Sequence, residues 1–249
     1  MPLDPRIAYH LNELEIARDP ASPHRLMPEL GGDDRTVLDI GCGIGQTLAC
    51  LDADGRLFVG LDVDLQCLAF GHQMFPGLCF VHGTAERLPF RDRAFDLVLS
   101  RVSLPYTHIP RTLAEIERVL RPDGRVWLAL HPPAMAFREL SKALRRFEMK
   151  NAFYKTYVVV NGVALHLLGR QFAFPWKRKI ESFQSIAGMT KAMHSTGFTD
   201  VSFARSGLHL ICTARKAEAR FTSALSGVSD LRYFNGTGAD RSVPPLGRR

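Results

Sequence analysis

The sequence predicts an α/β protein built on a mainly parallel sheet with helices on both faces. Three observations carry this. Short apolar runs recur at Thr36–Ile40, Leu57–Leu61, Cys79–His82, Phe95–Ser100 and Arg125–Leu130. Segments with helical spacing lie between most of them. Turn residues such as Asp54-Gly55, Pro76-Gly77 and Pro122-Asp123-Gly124 mark the joints. Runs that are apolar throughout, rather than alternating, belong to strands buried on both faces.

The elements follow in order. Residues 1–35 are polar and proline-bearing. Ile7, Leu11, Leu14 and Ile16, with Tyr9, predict an amphipathic helix at about Pro5–Arg18, ended by Asp19-Pro20 and Ser22-Pro23. A second short helix is expected over His24–Leu30, closed by Gly31-Gly32. The first strand, Thr36–Ile40, runs into a glycine-rich turn (Gly41, Gly43, Gly45), and a helix is expected over Gly45–Leu51. Helices are predicted at Leu65–Met74 and Pro110–Leu120. After His131-Pro132-Pro133 the pattern breaks. Residues 134–150 read as a helix whose stripe of Phe137, Leu140, Leu144 and Phe147 should face the core. The next run, TYVVVNGVALHLL, has β-prone stretches either side of Asn161-Gly162 and predicts a hairpin, with a helix from Val163 as the competing reading. A helix at Ser182–Ser195 and two strands, Val201–Arg205 and Leu208–Ala214, close the pattern. The link Ser206-Gly207 between those strands is so short that they must be antiparallel. The tail, 217–249, is rich in Gly, Ser and Pro and is expected to pack in part and fray at its end.

Composition bounds the function. A chain of 249 residues, 46% hydrophobic, can bury a sizeable core in one large domain with an insert. No apolar run reaches the ~18 residues that cross a bilayer, and the first residues lack the apolar core of a signal peptide. The five cysteines form no CxxC pair and read as small core residues in a reducing, cytoplasmic setting. No cluster has metal-ligand spacing and no GxSxG nucleophile motif is present. The net charge of +7 is concentrated: residues 138–179 hold ten basic residues against two acids, Glu139 and Glu148, which leaves −1 for the rest. That is a statement about one surface and its partner.

Asp39 sits just before the first glycine of the turn. Dinucleotide-binding turns usually lack an acid there, because it would face phosphate. A ligand with a cationic end and no phosphate suits it better. Four stretches, VLDIGCGIGQT, VGLDVD, HGTAERLPF and FDLVLSRVSLPYTHIPRTLAEIERVLRPDGRVWLAL, stand in order at normal spacing. Together they resemble the class I S-adenosylmethionine-dependent methyltransferases, nearest to the group related to ubiquinone and menaquinone biosynthesis. The likeness covers about Thr36–Leu130 and, weakly, Ser182–Lys216. It implies a Rossmann-like three-layer α/β/α fold with seven strands in the order 3-2-1-4-5-7-6, the seventh antiparallel, and a cap after the fifth. It divides the chain into an N-terminal helical lid (1–35), a cofactor-binding domain (36–216) with an acceptor-specificity insert (131–181), and a tail (217–249).

The resemblance also implies site residues. Gly41, Gly43 and Gly45, with Cys42 and Gln46 in the same turn, would approach the methionine part of S-adenosylmethionine, and Asp39 its ammonium. Asp62 would bind both ribose hydroxyls and Val63 would pack on the adenine. Thr84 stands where Asp or Asn is usual, so adenine recognition falls to the backbone of Ala85, with Glu86 nearby. Ser100 and Arg101 would line the methionine end, Arg101 replacing a more common Asn. Tyr9 and His10 would close over the cofactor from the lid. The candidates for acid–base work are His131, after the fifth strand, and His108 with Tyr106, after the fourth. The expected acceptor is a small, partly apolar molecule, aromatic or lipid-linked. The basic insert admits an anionic membrane surface or RNA as partner. Methylation of RNA, and cofactor binding without transfer, stand as alternative functions.

Overall fold

The computed structural model describes residues 3–175 and 179–218. The elements run α1 (Pro5–Arg18), β1 (Thr36–Ile40), β2 (Leu57–Asp62), α2 (Leu65–Met74), β3 (Cys79–His82), β4 (Phe95–Arg101), α3 (Ile109–Val119), β5 (Leu120–Leu130), α4 (Pro133–Arg145), α5 (Met149–Leu168), α6 (Ile186–Ser195), β6 (Phe198–Ser206) and β7 (His209–Lys216). The sheet order is β3-β2-β1-β4-β5-β7-β6. β1 to β5 pair in parallel, and β7 is antiparallel to both β5 and β6. The expected strand order and the reversed last strand are present.

The continuous apolar strands are explained by burial on both faces. Leu38, Val98 and Leu128 pack on one side with Ile109, Leu113 and Ile116 of α3 and Met189 and Met193 of α6. Val37, Leu97, Leu99 and Trp127 face the other side with Phe58, Leu26 and Leu48. The register puts Val37 beside both Phe58 and Leu97, so like-facing residues share a row. The strand order reverses at β1, which opens a crevice beyond the carboxyl ends of β1 and β4.

Several local expectations are corrected. Residues 24–30 form no helix: Pro28 falls inside the segment, removes a donor and biases Met27 towards extended backbone. The segment instead buries Leu26 and Pro28. The stretch Gly45–Leu51 holds only a 3-10 turn at Leu48–Cys50. Gly43 and Gly45 take φ of +57° and +84°, left-handed conformations that no α-helix continues through. The helix expected at Ser182 begins at Ile186, capped by the Ser185 hydroxyl, which accepts the Gly188 N–H.

The insert departs furthest. Asn161-Gly162 lies inside α5, not in a hairpin. The Asn161 side chain donates to the Glu181 carbonyl (2.9 Å) and accepts the Phe172 N–H (2.8 Å), which ties α5 to the chain at both of those residues. A Cβ on Gly162 would stand 2.3 Å from the Phe183 ring, so glycine is there for close packing. On α4, Ala136 and Ala143 are buried, while Phe137 and Leu144 are about half exposed and Phe147 is 84% exposed. The predicted apolar stripe therefore faces outward. Trp176, Lys177 and Arg178 of the basic segment, and the tail from 219, lie outside the described residues.

Asn161→Ala is predicted to destabilise the protein by about 2 kcal/mol, since two buried backbone groups lose their partners and the helix-propensity gain is smaller. Urea denaturation measures this. A neutral or stabilising result would mean the α5–strap hydrogen bonds do not hold the insert.

Candidate functional site

A cavity of about 340 Å³ lies at the carboxyl ends of the strands. Its floor is Ile40 and Gly41 after β1, Leu61, Asp62 and Val63 after β2, Gly83 to Glu86 after β3, and Arg101 to Ser103 after β4. Its roof is α1, through Tyr9, His10 and Glu13. Helix spacing explains that set, because Glu13 lies about one turn beyond Tyr9 and His10 on the same face.

The turn after β1 folds back on β2. The N–H groups of Gly41 and Cys42 both donate to the Leu61 carbonyl, at 2.7 and 3.1 Å. The Asp62 carboxylate accepts the Gly43 N–H (2.8 Å) through Oδ2 and the Asp64 N–H (2.9 Å) through Oδ1. Val102, immediately after β4, has φ +65°, a costly conformation for a β-branched residue, of about 1–3 kcal/mol. That reversal returns Ser103 to the first turn, where its hydroxyl donates to the Ile40 carbonyl and accepts from Ser100 (2.6 Å). A Cβ on Gly41 would stand 2.2 Å from Ser103.

Three contacts fix α1 over the turn. Arg6 pairs with Asp64 (2.5 Å), the N-cap of α2. The His10 ring meets the Gln46 amide (3.2 Å) and fills the space beside Gly43. Arg101, its side chain 4% exposed, pairs with Glu13 at 3.1 Å.

Asp39 is buried at the end of β1, and neither carboxylate oxygen closes a hydrogen bond within the protein. Burial lifts its pKa to about 7, with the Arg101 charge opposing and Asp62 reinforcing the rise.

A second cavity, about 220 Å³, is lined by Tyr106, His131, Met135, Lys155, Val158, Glu181 and Phe183, among others. A third, about 480 Å³, lies among Glu86, Tyr106, Tyr154, Lys179 and Glu181. Tyr106 lines all three, and its ring packs edge-on against His131 at 5.6 Å. Burial lowers the His131 pKa to about 4 and raises that of Tyr106 to about 12, so both are neutral at pH 7. Glu181 accepts the Tyr154 hydroxyl (2.7 Å) and pairs with Lys155 (3.5 Å).

The expected residues separate into groups. Tyr9, Gly41, Gln46, Asp62, Val63, Thr84, Ala85, Glu86, Arg101 and Tyr106 line the first cavity. Asp39, Cys42, Gly43, Gly45 and Ser100 stand outside that lining. Cys42 turns its thiol toward Gly60 of β2, away from ligand space. The Arg101 side chain is taken by Glu13. His131 faces the second cavity. His108 is displaced from chemistry: it caps α3, its ring accepting from the Arg111 N–H at 3.4 Å and its own N–H donating to Glu86 at 2.8 Å. Glu13, Ser103 and Glu181 enter without having been anticipated. Helical spacing from Tyr9 could have found Glu13. The placing of Ser103 depends on the unusual Val102 backbone, which nothing in the residue order announces.

Residues 38–128 match the model of a methyltransferase domain. The phthiotriol/phenolphthiotriol dimycocerosates methyltransferase of Mycobacterium leprae is 37% identical over 109 residues, 41% of this chain and 40% of that one. The chain thus spans about two fifths of that relative's length. The demethylmenaquinone methyltransferase of Chlorobaculum tepidum is 24% identical over 70% of this chain and 69% of its own. Among solved structures, an S-adenosylmethionine-dependent methyltransferase of Thermotoga maritima, described as a possible histamine N-methyltransferase, superposes with a TM-score of 0.52 at 20% identity, over 85% of this chain and 90% of that one. The domain match makes residues 38–128 a methyltransferase domain, and the strand order and superposition give the chain the fold of the S-adenosylmethionine-dependent methyltransferases.

Proposed function

We propose that this protein methylates a small, partly apolar acceptor that enters the cavities lined from α4, α5 and residues 179–183. The observation that carries the reading is Tyr106, one side chain shared by the strand-end cavity and both neighbouring cavities. Two ligands held on either side of that ring would meet at it. The mycobacterial relatives are named for phthiotriol and phenolphthiotriol dimycocerosates, and the Chlorobaculum relative for demethylmenaquinone. An acceptor of that apolar kind fits walls that include Met135, Val158 and Phe183.

The first cavity suits S-adenosylmethionine, which supplies an electrophilic methyl group on a sulfonium. Four acids, Glu13, Asp39, Asp62 and Glu86, lie at or beside it against one buried cation, Arg101. That field favours a ligand with a cationic end and disfavours one with phosphates. Asp39 would take the ammonium and the free lone pairs of Asp62 the ribose hydroxyls. Positioning does most of the work in such a transfer. Where the acceptor is a hydroxyl, its proton must leave. His131, held neutral by burial, can accept it, and Tyr106, held protonated, can donate a hydrogen bond.

The Asp39 reading has a worked pH dependence. In the ligand-free protein its pKa is raised to about 7, so the carboxyl is protonated below that pH. A cationic ligand needs it ionised. Affinity for S-adenosylhomocysteine, which keeps the ammonium, should be full above pH 7 and fall as pH drops, by up to about tenfold per unit, with a proton released on binding. Calorimetry in two buffers of different ionisation heat measures that proton, and Asp39→Asn should abolish the slope. The same raised pKa costs the ligand-free protein on the order of 4 kcal/mol above pH 7, a cost absent in acid, so Asp39→Asn should raise the melting temperature at pH 8. An unchanged slope or a lowered melting temperature would remove Asp39 from this role.

The acceptor is tested with methyl-labelled cofactor. Label should enter the lipid-soluble fraction of a cell extract, and label confined to RNA or to nothing would overturn the reading. His131→Asn should lower kcat at least about a hundredfold while leaving S-adenosylhomocysteine affinity intact. A wild-type kcat would show that His131 takes no proton.

A further inference from the structure

We infer that the outer surface of α5, with the corner between α4 and α5, docks on an anionic membrane surface. Met149, Val160, Val163 and Leu167 follow one another at close to three, four and five turns from the first, so they lie on one face of α5. All are exposed, from 40% at Val163 to 70% at Met149. The opposite face holds Ala152, Val158, Asn161, Gly162 and Leu165, which are buried against the rest of the insert. The helix contains no acid. At its start the chain turns at Phe147, which has φ +55° and is 84% exposed. A bulky aromatic residue in a left-handed backbone, pushed into solvent, is costly unless something receives it. Lys142, Arg145, Arg146 and Lys150 surround the corner. Glu148 is the one acid there, and it reaches Arg146 only at 4.0 Å.

The occupant follows from charge and side-chain type. A second copy would meet this patch through a self-complementary interface, setting the basic corners against each other or against a further apolar face with no acids. RNA would need several aromatic planes for stacking, and the exposed α5 face offers one, Phe153, whose ring already packs edge-on against Phe174 at 6.0 Å. An anionic bilayer matches both features. Aliphatic side chains and Phe147 enter the acyl boundary while the basic residues contact headgroup phosphates. No helix among the described residues is long and apolar enough to cross, so the contact is at the surface.

The test uses the full chain without methyl donor, so it stands apart from the methyl-transfer reading. The protein is sedimented with vesicles of phosphatidylcholine alone or mixed with phosphatidylglycerol. Binding should require phosphatidylglycerol and weaken with added salt. Phe147→Ser with Met149→Ser, and separately Arg145→Glu with Arg146→Glu, should each weaken it by about tenfold or more, with unchanged circular dichroism. Phe147→Trp should shift its emission to the blue on those vesicles alone. Equal binding to both vesicle types, or binding indifferent to the variants, would overturn the inference. So would a dimer in sedimentation equilibrium that the Phe147/Met149 variant dissolves, or RNA that displaces the protein from vesicles at equal phosphate concentration.

Discussion

The site depends on one fold-back: the turn after β1 is held to the end of β2 by backbone and by Asp62. Two N–H groups converge on the Leu61 carbonyl, and the Asp62 carboxylate takes a third from Gly43. Left-handed glycines are needed because three consecutive donors cannot otherwise turn toward one strand end. This fixes the first turn, and the first turn fixes the rest. Ser103 can reach the Ile40 carbonyl only where Gly41 leaves room. His10 can lie over the turn only where Gly43 leaves room. A side chain at Gly41 would displace the β4 loop and one at Gly43 would displace α1, so the cavity keeps its shape only while both positions are bare.

Charge is distributed around that turn in an uneven way. Arg101 is nearly fully buried, and a buried guanidinium left alone is costly, so Glu13 of α1 supplies its partner. That pairing couples the roof to the floor of the cavity. It also consumes the cation that could have neutralised Asp39, which is left buried without a hydrogen-bonding partner. An unpartnered carboxylate is unfavourable in the free protein, and its persistence is understandable where a ligand completes it. Stability is given up at Asp39 and at Val102, two positions that border the same cavity.

The sheet was legible in the residues because burial on both faces leaves apolar runs that recur between helical segments and are bounded by turn residues. The glycine turn and Asp62 stand where the residue order puts them, at the ends of β1 and β2, with Gly41 and Asp62 lining the strand-end cavity. The insert was not legible. In α5 the run TYVVVNGVALHLL has the β-branched content of a strand, and Asn161-Gly162 has the form of a hairpin turn. What overrides both is tertiary: Asn161 satisfies two backbone groups of a segment that begins ten residues later, and Gly162 gives room to Phe183. The α4 stripe misled for the opposite reason. Periodicity reports that one face is apolar but not what lies against it, and the close approach of α5 selects Ala136 and Ala143. His108 is found capping α3, a place that a histidine before a helix fills as readily as that of a base.

Tyr106 explains how a fold shared by many acceptor chemistries is made particular here. The strand ends supply a cavity walled by the loops after β1 to β4 and by α1, whereas the two adjoining cavities take most of their walls from residues beyond β5. The ring sits where these meet, fixed on one side by the 3-10 turn Leu104–Tyr106 and packed on the other against His131. Its hydroxyl is protonated at neutral pH, as a phenol is, and partial desolvation moves its pKa further up, which makes it a poor nucleophile there. It can align an acceptor without being consumed. Changing the insert alters what reaches Tyr106 and leaves the strand-end cavity intact, because no residue of α4 or α5 lines that cavity. The strand-end cavity and its two neighbours therefore draw most of their walls from different parts of the chain, with one aromatic ring as their common boundary.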